Sequence, residues 1–231
     1  MSKSKQAVEP FPLQPTAMLK EGIDGFRRAP IPLLLGAAIT IGISAASWIP
    51  FRDRIQNDPG VPEFLLLFGG FLLASTAAYV WYSYALDAAR GIDVDLAKPF
   101  RHWERLPAQF VASFWFWAGF LIGLPLMFVP ALLVLVFYAF YGFVVVDRPD
   151  LGGLKALGTS VRLGDKRRIA LFAIGVLAFL FNFFIPALAF MIPTQAIAIP
   201  LWLALLLVTT SITMVGGAAL YDVLKVDLPD G

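Results

Sequence analysis

The chain has 231 residues, 59% of them hydrophobic and 15% charged, with a formal net charge of +2 and a mean hydropathy of +0.77. Soluble domains carry about 25% charged residues, so this composition excludes an ordinary soluble globule, and so small a net charge excludes a global field for nucleic acid. The chain has no cysteine and a single histidine, His102, which removes disulfides, thiolate metal sites, a Cys nucleophile and clustered imidazole ligands.

Residues 1–17, MSKSKQAVEPFPLQPTA, are polar and proline-rich and predict a flexible tail. They lack an apolar core and so do not read as a cleavable secretory signal. From there to residue 225 the pattern predicts a single membrane domain, followed by a short tail over 226–231. Apolar runs at 31–49, 64–86, 108–124, 127–146, 169–192 and 197–221 are each long enough to cross a hydrocarbon core about 30 Å thick. They are unbroken rather than alternating, which excludes a transmembrane β-barrel. The fold class is therefore all-α, with six transmembrane helices.

The third and fourth runs come from one apolar block, and the uncharged GLPLMFVP at 123–130 supplies the fold-back between them. Pro30, Pro32, Pro62, Pro107 and Pro200 fall where helices begin, a position that tolerates a missing N–H. Pro149 and Pro193 follow helix ends. Only Pro186 falls inside a run, where it removes the hydrogen bond to the Asn182 carbonyl and predicts a kink.

Positive charge fixes the expected topology. With six crossings, sixteen of the eighteen Lys and Arg fall on one side: Lys3, Lys5, Lys20, Arg27 and Arg28; Arg90, Lys98, Arg101 and Arg105; Arg148, Lys155, Arg162, Lys166, Arg167 and Arg168; and Lys225. Only Arg52 and Arg54 fall on the other. Cytoplasmic loops carry the excess of Lys and Arg, so both termini are expected in the cytoplasm of a plasma-membrane protein.

The three basic blocks also read alike. LKEGIDGFRRAPIPLLLG from Leu19, LAKPFRHWERLPAQFVAS from Leu96 and LKALGTSVRLGDKRRIALF from Leu154 each give an amphipathic stretch, a basic knot and a span. This suggests three hairpins, each preceded by a short cytoplasmic interfacial helix. In the third, Leu154, Leu157 and Val161 form the expected membrane-facing side, and Asp165 is placed to cap the fifth span.

The stretch from the fourth span through Phe172 resembles uncharacterised six-span bacterial membrane families. Among them is the membrane domain found beside some glycerophosphodiester phosphodiesterases. In those families a Pro-containing turn opens span four, an acidic residue ends it, and an A-L-x-x-S-x-x-L helix precedes span five. Ala156, Leu157, Ser160, Leu163 and Asp147 stand in those places, although Gly164 follows Leu163 without the usual intervening residues. GGAALYDVL at 216–224 is similar to the usual end of span six. The resemblance implies an architecture; it carries no catalytic residues.

Candidate sites are few. No ionisable group falls in the middle of a span, so neither a membrane-embedded Ser–His dyad nor an aspartyl pair is expected, and the chain reads as non-enzymatic. Asp87, Asp93 and Asp95 in LDAARGIDVD lack the set of Asp and Gly that a metal-binding phosphotransferase motif needs, and read as a solvated loop. No cofactor or metal site is expected.

Arg27, Arg28, Lys166, Arg167 and Arg168 are candidates for contact with anionic headgroups. Asn182 and Pro186 form a candidate polar kink site. Small residues every four positions (Ala38, Gly42, Ala46; Gly70, Ala74, Ala78; Thr209, Thr213, Gly217) predict helix-packing faces. FWFW at 114–117, with Trp81 and Tyr82, reads as interfacial and lipid-facing surface. The implied partners are membrane lipids and other membrane proteins, not nucleic acid. The expected function is a scaffold or accessory factor in envelope or lipid homeostasis; the alternative is a small transporter or channel with a path between hairpins near Asn182.

Overall fold

In the computed structural model, residues 14–52, 60–126, 129–165 and 167–226 are described. All regular structure among them is helical: α1 (Pro15–Arg28), α2 (Pro30–Arg52), α3 (Val61–Ala89), α4 (Lys98–Arg101), α5 (Leu106–Gly123), α6 (Val129–Phe137), α7 (Tyr141–Asp147), α8 (Gly153–Leu163), α9 (Arg168–Ala187) and α10 (Gln195–Lys225). Short 3-10 turns precede α5 and follow α9. Six stretches are long and apolar enough to cross a membrane: Pro30–Ile49, Val61–Ala89, Trp103–Gly123, Val129–Asp147, Arg168–Met191 and Gln195–Lys225. Much of their surface is exposed Leu, Ile, Val and Phe, as helices solvated by lipid require.

Prolines start α1, α3 and α5 within their first two residues, where no backbone bond is lost. Pro200 does not begin a helix as expected. It lies in the second turn of α10, which starts at Gln195. The helix containing Pro186 continues to Ala187 before tightening into the 3-10 turn, and Pro186 itself is buried. At the other end of the chain the expected tail is shorter than residue 17, because α1 already begins at Pro15. Residues 1–13 and 227–231 lie outside the described residues, and so does Lys166.

Packing relies on close backbone approach. A Cβ on Gly22 would stand 2.3 Å from the Ile212 carbonyl, and one on Gly216 would stand 2.5 Å from the Met18 carbonyl. α1 is thus seated directly on the middle of α10. Gly36 meets Trp81 and Gly70 meets Ser47, which joins α2 to α3 at two levels, and Gly123 meets Ala131 where α5 folds back onto α6. The small-residue stripe of α3 is inside, with Ala74 and Ala78 buried. That of α2 is not: Ala38, Gly42 and Ala46 are exposed, and a Cβ on Gly42 would touch nothing. The face of α2 that packs is Leu33, Gly36 and Ala37, one position earlier in the turn.

The fourth span is broken. α6 ends at Phe137 and α7 starts at Tyr141, so the helical ladder leaves the Phe137 carbonyl and the Phe140 N–H without their usual partners. Ser160 of α8 takes both: its hydroxyl donates to the Phe137 carbonyl at 3.0 Å and accepts from the Phe140 N–H at 3.1 Å. α8 reaches this position because Gly153, Ala156, Leu157, Ser160 and Leu163 are buried along one side, against α5 and α7. Gly153 sits where a Cβ would strike the Ala108 carbonyl. Of the expected membrane-facing Leu154/Leu157/Val161 side, Leu154 is exposed, whereas Leu157 is packed inside the protein. The block from Leu96 forms only the single turn α4 and a 3-10 turn, so the three basic blocks do not fold alike.

Candidate functional site

Two regions gather the side chains that carry chemistry. The first is the charged end, where α3, α7 and α10 finish. α3 stops in a Schellman arrangement: Gly91 has φ +67°, its N–H donates to the Ala88 carbonyl, and Ile92 N–H donates to the Asp87 carbonyl. This stop leaves Arg90 between two acids from different helices. Its guanidinium donates twice to Asp222 (2.8 and 2.7 Å) and once to Asp147 (2.6 Å). Lys225 also reaches Asp222 at 2.7 Å and Asp147 at 3.2 Å, and Tyr221 donates to Asp147 at 3.0 Å. The bonds from Asp222 above all, and those from Asp147, raise the Arg90 pKa against its partial burial.

Beside this cluster, Asp87 is buried and accepts both oxygens' bonds from Lys98 at 2.6 and 2.8 Å. It belongs to the packed interior rather than to a solvated loop; Asp93 and Asp95 are exposed, as expected. Hydrogen bonds from the Ala97 N–H first, and from Arg101, hold the Asp95 carboxyl below its ordinary range. Arg28 donates to the Ala88 carbonyl at 3.1 Å, and Arg105 donates to the Pro149 carbonyl. The segments carrying Arg28, Arg90, Lys98, Arg105, Arg148 and Lys225 thus meet at one end of the molecule.

Two carboxylates therefore do converge, at helix ends rather than at depth, and both are answered by cations. Among the described residues no group of three acids or histidines is arranged to hold a metal. The signal for this cluster was present in the sequence: Asp147 and Asp222 each end an even-numbered span, on the side that carries Arg90.

The second region is a half-open cavity of about 690 Å³ lined by α6, α7, α9 and α10, with Met18 of α1 and Trp81 and Tyr82 of α3. Its wall is apolar (Leu132, Leu135, Phe143, Leu171, Ile174 and Phe179 among others), interrupted by Asn182, Thr210 and Thr213. Asn182 donates from Nδ2 to Thr213 Oγ1 at 2.9 Å, while its Oδ1 is buried with no partner among the described residues; Trp81 Nε1 is in the same condition. The structure thus brings Asn182 to the wall it shares with the threonines of α10, with Pro186 one turn further on. Trp81 is interior rather than interfacial. So is half of FWFW: Phe114 and Trp115 are exposed, whereas Phe116 is buried and Trp117 donates to Ser75 Oγ.

The basic candidates divide. Arg27 is exposed and pairs loosely with Asp24 at 4.0 Å. Arg168 stands at the start of α9 with its guanidinium 4.4 Å from the Phe137 ring centre and 3.7 Å from Asp165. Asp165 consequently pairs with Arg168, and no side chain caps α9.

A polar network between α3, α5 and α7 escaped the sequence reading. Gln109 is fully buried and donates to the Ser75 carbonyl at 2.9 Å, and Ser113 lies 3.3 Å from the Tyr141 hydroxyl. Gln109 sits so near the start of its span that nothing in the pattern separates it from a headgroup-level residue. Comparison with protein-family models, curated proteins and solved structures finds no match.

Proposed function

We propose that the chain is a non-enzymatic integral protein of the plasma membrane that acts as a scaffold or accessory factor in envelope or lipid homeostasis. It is inserted as three hairpins with both termini and the charged end in the cytoplasm, and α1 and α8 lie near that surface. The observation that carries this reading is the separation of its polar and apolar regions. The acids and bases at the charged end are bound to one another, while the cavity wall carries no Asp, Glu, Lys, Arg or His among the described residues. A carrier for charged solutes concentrates ionisable groups along its path. This interior instead suits hydrocarbon.

Reporter fusions after Gly231 and after Lys98 are expected to score as cytoplasmic, and one near Gln56 as external. A periplasmic signal at the C-terminus overturns the topology. Proteoliposomes holding the chain should keep a potassium or proton gradient as long as empty vesicles do.

A second reading, a small transporter, is favoured by one observation only: the Asn182–Thr213 pair and its buried amide oxygen stand in the wall of the cavity. A flux that Asn182→Leu abolishes would establish it in place of the scaffold.

A further inference from the structure

The cavity is half-open and mainly apolar. Its wall on α9 runs from Leu171 to Asn182, eleven residue steps, or about 16 Å at 1.5 Å per residue. That is roughly half of a 30 Å hydrocarbon core, the depth reached by the chains of one leaflet. Its volume falls in the ordinary range for ligand sites, yet the polar side chains on its wall are few: Asn182, Thr210 and Thr213, with the polar tips of Trp81 and Tyr82.

The opposite end is cationic. Arg168 precedes the wall residue Leu171 by one turn, and its guanidinium lies over Phe137, the neighbour of the wall residue Val136. Arg168 therefore spans α6 and α9, two of the helices that line the cavity. Its carboxylate partner among the described residues, Asp165, is 3.7 Å away and largely exposed. A guanidinium so placed retains donors for a phosphate.

From this geometry we infer that the cleft between α6 and α9 binds an anionic glycerophospholipid, one acyl chain along Leu171–Asn182 and the phosphate at Arg168. The inference rests on the membrane reading above and gives that reading a ligand class. Lipid chains fill the apolar wall, and the charge at the mouth selects among headgroups.

Gly175 supplies the test, because it lies on the cavity wall and a Cβ there would meet nothing within 4 Å. Gly175→Trp and the smaller Gly175→Leu should fill the cavity without displacing packed atoms. The full chain is reconstituted in nanodiscs of equal phosphatidylglycerol and phosphatidylcholine, then released for native mass spectrometry, with thermal unfolding measured in parallel.

The wild-type chain is expected to retain phosphatidylglycerol over phosphatidylcholine by about fivefold, the worth of one cation near a lipid headgroup. Both Gly175 variants should keep the unfolding temperature and lose bound lipid about tenfold, because the new side chain occupies the space of the acyl chain. Arg168→Gln should keep a lipid but lose the preference. Glycerol 3-phosphate should not displace the lipid; if it does, the phosphate alone is recognised and the acyl-chain assignment fails. Equal retention of the two lipids by the wild type, or full retention by a folded Gly175→Leu chain, overturns the inference. A chain that inserts but retains no lipid overturns the inference alone, whereas one that never inserts overturns the membrane reading with it.

Discussion

The two sides of the molecule are held by different means. Where α3, α5, α7 and α8 meet, polar groups are placed against one another: Gln109 on Ser75, Ser113 by Tyr141, Ser160 across the break in span four. Where α6 faces α9 there is a cavity, and the main polar pair beside it, Asn182 with Thr213, is left with a spare acceptor. In lipid no hydrophobic drive pulls helices together, so contact depends on fit and on hydrogen bonds. The first side has both; the second has neither over most of its length. A helix pair can thus remain apart in a bilayer without penalty, because the lipid fills the gap.

This contrast can be broken from the rigid side first. Arg90→Met removes the cation shared by Asp147 and Asp222 and leaves only Lys225 to answer both. Thermal unfolding in detergent should show a loss of about 3 kcal/mol, and Arg90→Met with Asp147→Asn and Asp222→Asn should recover part of it. Gly153→Leu drives a side chain into the Ala108 carbonyl, and should cost about 2 kcal/mol and expose α8 to proteolysis. Ser160→Ala orphans one carbonyl and one N–H at the break, with an expected cost of about 1 to 2 kcal/mol. On the open side the effects should be small. Asn182→Leu loses a single bond in lipid, worth about 0.6 kcal/mol. Gly175→Ala should change stability by at most about 0.5 kcal/mol in either direction. An Asn182→Leu variant that unfolds as readily as Arg90→Met would erase the distinction between the two sides.

The spans were legible because a bilayer demands some twenty apolar residues whatever lies beside them, and the grouping of basic segments followed from the same count. What the residues did not disclose is which apolar face meets protein. The stripes of α2 and α3 look alike in sequence, yet Ala38, Gly42 and Ala46 face outward while Ala74 and Ala78 face inward. Lipid and protein interior reward the same side chains, so periodicity loses its contrast. For the same reason the break at 138–140 is invisible in an unbroken apolar run, and Phe116 and Trp117 could not be told from Phe114 and Trp115. The Asn182–Thr213 juxtaposition was accessible because an amide amid hydrocarbon stands out. The ion-pair cluster was accessible only in its parts, since Arg90 and Asp222 lie 132 positions apart.

The clamp by Ser160 also orders the life of the chain. The groups it satisfies belong to Phe137 and Phe140, and it follows them by 23 and 20 positions. Span four thus leaves the ribosome, and meets the insertion machinery, ahead of its clamp. Until α8 arrives, the carbonyl and N–H at the break are best satisfied by each other's neighbours in one uninterrupted helix. The bend in span four is then a late feature, written into the membrane by a segment translated after it.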